Sequence, residues 1–250
     1  WATLGLPFLF SDGALSDTWV CMSAMALTSV DQNHDDVCQD SLPNQEQTMS
    51  VYALKPKFQA LLRPLVQRLA QRGISANQVT LLACGLSILI GLLISLCLSS
   101  DWLWGLLLLP IFLFVRMAMN AIDGMLAREH AQQSALGGYL NELTDVVSDA
   151  ALYLPLLLLP NSSSFWVWLL VLQAALSEFA GVLGQVHGNG RRYDGPMGKS
   201  DRALWLGLFA IIWFAFPQTL AYSNLVFLIL NLALTYTIYR RVRNGLRPQE

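Results

Sequence analysis

A chain of 250 residues that is 54% hydrophobic and 13% charged falls well below the charge content of a soluble domain, about 25%. The charge is also segregated: residues 1–54 hold seven acids and no Lys or Arg, while all fifteen basic residues lie from Lys55 onward against ten acids. These features exclude a soluble globular enzyme and point to a polytopic helical membrane protein whose basic body faces an anionic membrane surface, with no nucleic-acid partner.

Residues 1–48 read as a disordered or dispensable leader. They lack the basic region of a signal peptide, and "DQNHDDVCQDSLPNQEQ" is polar throughout. His34 and Cys38 stand four apart there and read as incidental, not as a metal site. The tract 1–30 is mildly apolar, but Asp12 and Asp17 make it a poor span. A domain start follows at Met49. Residues 49–76 are expected to form an interfacial amphipathic helix, because "KPKFQALLRPLVQRLAQR" puts Phe58, Leu61, Leu62, Leu65 and Leu69 on one face flanked by basic residues.

Residues 77–250 read as an all-α domain of six transmembrane helices, near 77–99, 102–127, 137–160, 164–186, 202–216 and 219–239. Cys84 and Cys97 lie within the first and read as small buried hydrophobes. Basic residues occupy alternate connections: Lys55 to Arg72, Arg128, then Arg191, Arg192, Lys199 and Arg202, and finally Arg240 to Arg247. The intervening loops, "SSD", "NSSS" and "PQTLAYSN", hold none. The positive-inside rule therefore puts the basic connections and both ends of the body in the cytoplasm, as expected for a bacterial inner membrane. No internal repeat supports an inverted-repeat transporter.

Ionisable and amide residues inside apolar spans are functional candidates. Arg116, Asn120, Asp123 and Arg128 lie on the second span, Asn141, Glu142, Asp145 and Asp149 on the third, and Glu178 on the fourth. At about 100° per residue, Asn120, Asp123, Gly124, Ala127 and Arg128 share an arc of about 140°. Gly137, Asn141, Asp145 and Ser148 form a second stripe, with Asp149 at its edge. The eight-residue link "EHAQQSAL" makes the two helices antiparallel neighbours, so the stripes can face each other across a cytosolic cavity. Carboxylates and amides at this spacing suit Mg²⁺ or Mn²⁺. The small residues leave room for a flat ligand or allow close helix packing, and the pattern alone admits both.

The stretch N-AI-DG-ML-AR-EHAQQSAL-G-GYL-N-ELT-D, residues 120–145, resembles the motif of the CDP-alcohol phosphotransferases, D-x2-D-G-x2-A-R-x8-G-x3-D-x3-D. The resemblance extends over residues 49–250. It implies an enzyme that takes a CDP-linked lipid, CDP-diacylglycerol, and a small alcohol acceptor, and releases CMP. It also implies that Asp145 is the general base, that Asn120, Asp123, Asn141 and Asp145 stand at metal-ligand positions, and that Gly124, Ala127, Arg128 and Gly137 border the nucleotide. Asn replaces the first and third motif Asp. The expected consequences are charge supplied by Glu142 or Asp149, a single or weaker metal site, or loss of catalysis. The turn-rich "RRYDGPMGKSDR" offers Lys199 and Arg202, then Arg191 and Arg192, to an anionic acceptor or lipid group. Alternatives are an aminoalcohol phosphotransferase acting on diacylglycerol, a catalytically silent lipid- or nucleotide-binding protein, and a cation transporter. A homodimer is implied by the resemblance alone.

Overall fold

The structure is a computed structural model that describes residues 55–187 and 190–247. The expected leader, with His34 and Cys38, lies outside the described residues. The described chain is all-helical, with seven α-helices: α1 (Lys55–Gln71), α2 (Ala76–Ser99), α3 (Leu108–Glu129), α4 (Ala135–Tyr153), α5 (Ser164–Val186), α6 (Lys199–Ala215) and α7 (Ser223–Gly245). Short 3₁₀ segments precede α3 (Leu103–Leu107), follow α4 (Leu154–Leu158) and precede α7 (Pro217–Tyr222). They break the second, third and sixth expected spans. Proline accounts for two of these breaks: Pro155 and Pro217 stand at the start of their segments, where a missing N–H costs least.

Four helices, counting their 3₁₀ extensions, are long and apolar enough to cross a bilayer: Ala76–Ser99, Leu103–Glu129, Ser164–Val186 and Pro217–Gly245. The remaining two expected spans fall short for different reasons. Helix α4 carries Glu142, Asp145 and Asp149 within 19 residues. Helix α6 has 17 residues, which rise to about 26 Å, short of the ~30 Å hydrocarbon layer.

Local chemistry sets the helix starts on either side of the α3–α4 turn. Ser75 caps α2: its hydroxyl accepts from the Gln78 N–H, and the Gln78 side chain accepts from the Ser75 N–H at 2.9 Å, a reciprocal capping box. Ser134 caps α4 by accepting from the Gly137 N–H at 3.0 Å. Gln132 accepts from the Ala76 N–H at 2.7 Å and ties the α3–α4 turn to the start of α2.

The main core joins α2 to α7 through Ile94, Leu109, Phe112, Leu152, Tyr153, Leu170, Leu206, Trp213 and Phe227. A smaller cluster packs α1 on α2 and α3 through Val66, Val79, Ile122, Met125 and Leu126. The amphipathic α1 thus has two apolar strips. Val66, with Leu62 and Leu69, faces the protein, while Leu61 (75% exposed) and Leu65 (44%) face outward. Helices α2 and α4 meet so closely that a Cβ on Gly91 would lie 2.1 Å from the Ala151 carbonyl oxygen. This contact brings α4, with its carboxylates, against α2.

Candidate active site

Helices α3 and α4 bring their polar stripes together. The Asn120 amide nitrogen donates to Asp145 Oδ1 at 3.2 Å. Arg116, one turn earlier on α3, donates to the same oxygen at 3.3 Å and to the Asp145 backbone carbonyl at 2.9 Å. Lys199, the first residue of α6, ion-pairs with Asp145 Oδ2. Asp145 therefore receives donors from three side chains on two helices. Asp123, buried one turn beyond Asn120, accepts from the Thr80 hydroxyl of α2 at 2.8 Å. Asn141 is half-buried on α4, one turn before Asp145.

Behind these residues lies a buried ion-pair network. Arg116 donates to Asp149 at 2.6 Å. Arg202, with no exposed surface, donates to Asp149 at 2.7 Å, Glu178 at 3.1 Å and the Ser177 hydroxyl at 3.1 Å. Arg241 donates to the Ser177 carbonyl and lies 3.6 Å from Glu178. Arg191 pairs with Glu142 and lies 3.5 Å from Glu178. Burial works against the charged Arg191 guanidinium, but Glu142, Tyr193 and Glu178 together outweigh it and its pKa is raised.

The sequence-expected site residues separate accordingly. Lys199 and Arg191 stand at the carboxylates of α4. Arg202 does not face the opening: it crosses the interior and joins α4, α5 and α6. Arg192 pairs with Asp194 at 2.9 Å and packs against Gly184. Glu142 and Asp149, expected as spare charge, are already held by Arg191 and by Arg116 with Arg202. Among the expected nucleotide-side residues, the Arg128 guanidinium folds back over Gly124, 3.2 Å from where a Cβ would stand. A Cβ on Gly137 would meet the Asn77 side-chain oxygen at 2.9 Å, and Ala127 packs beside the α1 cluster. Spacing had no signal for Thr80 and Asn77, which sit on the most apolar helix. Arg241 had the wrong signal, reading only as one of several flanking cations.

Comparisons with known proteins identify the family and the fold. The family model for CDP-alcohol phosphatidyltransferase matches residues 74–238, which contain α2 to α6 and most of α7. The chain belongs to the CDP-alcohol phosphatidyltransferase family. It is 48% identical over 198 residues to inner membrane protein YnbA of Escherichia coli, covering 79% of this chain and 97% of that protein. It is 35% identical over 100 residues to archaetidylinositol phosphate synthase of Pyrococcus horikoshii, covering 40% and 49% respectively. Its fold is similar to Mycobacterium tuberculosis phosphatidylinositol phosphate synthase PgsA1. The structure of that protein with manganese and citrate has a TM-score of 0.60 at 17% identity, covering 75% of this chain and 92% of the other. The structure with CDP-DAG bound has a TM-score of 0.59 at 16% identity. A member of this family is a transferase, and this one is an integral membrane protein.

The oxygen donors at this site are of the kind that suits a hard divalent cation. Among the described residues, no three His, Cys, Asp or Glu side chains stand together as a metal site. Asp123 is held by the Thr80 hydroxyl, Asp145 is shared between Arg116 and Lys199, and the nearby motif residues are neutral amides. Oxygen ligands of this kind suit Mg²⁺ or Mn²⁺, which complete their shells with water and substrate phosphates.

Proposed function

We propose that the chain transfers a phosphatidyl group from CDP-diacylglycerol to a small alcohol, releasing CMP. The observation that carries this reading is the meeting of Asn120 of α3, Asp145 of α4 and Lys199 of α6 at one carboxylate, beside Asp123. Family membership supports the reaction class, and PgsA1, a structural neighbour, has been solved with CDP-DAG bound.

In this reading α1 lies at the membrane interface with Leu61 and Leu65 in lipid. Helices α2 to α7 make six spans, and the site opens to the cytoplasm of a bacterial inner membrane. Helices α4 and α6 cross because their charged residues pair with neighbouring helices instead of facing lipid. Asp123, Asp145 and the amide oxygen of Asn141 would hold a Mg²⁺ or Mn²⁺, whose charge would offset that of the donor pyrophosphate. Gly124, Ala127, Arg128 and Gly137 border the cytidine.

Asp145 accepts the proton of the acceptor hydroxyl. The hydroxyl oxygen forms a bond to the phosphorus that bears diacylglycerol, and the bond from that phosphorus to the CMP oxygen breaks. Lys199 and Arg191 receive an anionic group on the acceptor, the ammonium exchanging Asp145 for that group. Glycerol phosphate, inositol phosphate and serine are acceptors to compare.

The test is CMP release by the purified full chain from radiolabelled CDP-diacylglycerol, with Mn²⁺ or Mg²⁺ and a panel of alcohols. Asp145→Asn is expected to lower kcat by about 10²- to 10⁴-fold while retaining the donor. Nucleotide binding without CMP release from any acceptor would reject the enzyme in favour of a silent binding protein.

A further inference from the structure

Residue 120 stands where an oxygen ligand for a cation is expected, but its contacts are those of a donor. An ionised carboxylate only accepts hydrogen bonds, so the 3.2 Å contact to Asp145 Oδ1 fixes which end of the amide faces it: the nitrogen. Arg116 holds the same oxygen from 3.3 Å and the Asp145 backbone carbonyl from 2.9 Å. Arg116 is in turn fixed by Asp149 at 2.6 Å and has almost no exposed surface. Asn120 and Arg116 thus form a rigid pair of donors on one face of α3, aimed at one oxygen of α4. Lys199 takes the other oxygen.

A carboxylate at position 120 would act differently. At the observed separation it would put a second negative charge beside Asp145, which requires a cation between the two or a shared proton. The amide instead donates to Asp145, alongside Arg116 and Lys199.

We propose that Asn120 is a positioning residue: it orients the Asp145 carboxylate by donating to Oδ1 and is not a ligand of the catalytic cation. The cation is then held on the Asp123 side of the pair, and Asp145 is oriented before any cation arrives. This rests on the phosphatidyl-transfer reading for its kinetic readout, but its metal readout does not.

The experiment measures Mn²⁺ affinity of the full chain by electron paramagnetic resonance, alongside steady-state kinetics, for the wild type, Asn120→Ala and Asn120→Asp. Asn120→Ala is expected to bind Mn²⁺ within about threefold of the wild type and to keep KM for both substrates, while kcat falls about 10- to 100-fold, the loss typical of removing an orienting partner. Asn120→Asp is expected to lower kcat as well, although it restores an acidic residue. Mn²⁺ affinity that falls tenfold or more in Asn120→Ala would overturn the proposal, as would a kcat above wild type in Asn120→Asp. If Asn120→Ala does not yield folded protein, the Asn120→Asp comparison still decides. A wild type that binds Mn²⁺ but releases no CMP would instead reject the functional reading, and the Mn²⁺ affinities of the variants would still test the role of Asn120.

Discussion

Arg202→Met separates a structural arginine from a substrate-binding one. The arginine has no exposed surface and donates to Asp149 at 2.7 Å, Glu178 at 3.1 Å and Ser177 Oγ at 3.1 Å. Methionine fills much of the same volume but leaves a lone pair of Asp149 unmatched inside the bundle. Asp149 keeps Arg116, and Glu178 keeps the more distant Arg191 and Arg241. Removing one partner of a buried pair costs about 3–5 kcal/mol. For a chain of this size each kcal/mol corresponds to about 2–4 °C, so Tm should fall by roughly 6–20 °C. Thermal unfolding of the detergent-solubilised protein, followed by tryptophan fluorescence, measures this. Adding Asp149→Asn should recover part of the loss, because it removes the charge left unmatched. A Tm within about 2 °C of wild type, accompanied by a raised acceptor KM, would refute the reasoning and return Arg202 to the acceptor site.

Lys199→Gln should leave Tm unchanged and raise the acceptor KM by about 10- to 100-fold, the value of one charge-assisted hydrogen bond, with the donor KM unaltered. Equal acceptor kinetics in the two proteins would remove Lys199 from the acceptor site. Gly91→Ala should destabilise the bundle by about 1–3 kcal/mol, since its Cβ would stand 2.1 Å from a backbone oxygen that cannot swing aside. Gly85→Ala on the same helix meets nothing within 4 Å and serves as the matched control. It should raise Tm slightly through helix propensity, and equal losses in both variants would show that α2 and α4 do not meet at Gly91.

Much of the bundle is legible because apolar runs and turn residues are written locally. A helix, α1, lies within the amphipathic segment expected over 49–76, and the ends of α2 and α5 fall within a few residues of their expected limits. The 3₁₀ breaks at Pro155 and Pro217 were not distinguished from continuous helix, because an apolar run continues through each. In the site, helical spacing on α3 and α4 put Asn120 near Asp145, since both positions follow from local periodicity and a short link. Partner choice was not local. The pairing of Arg202 with Asp149 spans 53 residues, and that of Arg241 with the Ser177 carbonyl spans 64. In the sequence Arg241 looks like ordinary cytoplasmic flanking charge and Arg202 like a ligand for an anionic acceptor, and only tertiary packing shows that both turn inward. Thr80 sits in an apolar helix, and its role appears only once Asp123 is beside it.

The two helices that fall short as spans on their own are also the ones that carry the chemistry. Arg202 of α6 meets Asp149 of α4 and Glu178 of α5, so the polar groups that make α4 and α6 costly in lipid are matched within the bundle. Five cations, Arg116, Arg191, Lys199, Arg202 and Arg241, face four carboxylates, Glu142, Asp145, Asp149 and Glu178, while Asp123 is held by the Thr80 hydroxyl. The match is uneven in depth. Asp149 lies between two buried arginines, whereas Asp145, one turn earlier on the same helix, is paired on one side by the partly exposed Lys199. That asymmetry assigns different work to the two acids. In the proposed transfer, Lys199 would leave Asp145 for the anionic substrate and free it to accept a proton, while the arginines on Asp149 cannot leave without opening the core. Substitutions at 149 should therefore register first in stability, and substitutions at 145 first in turnover.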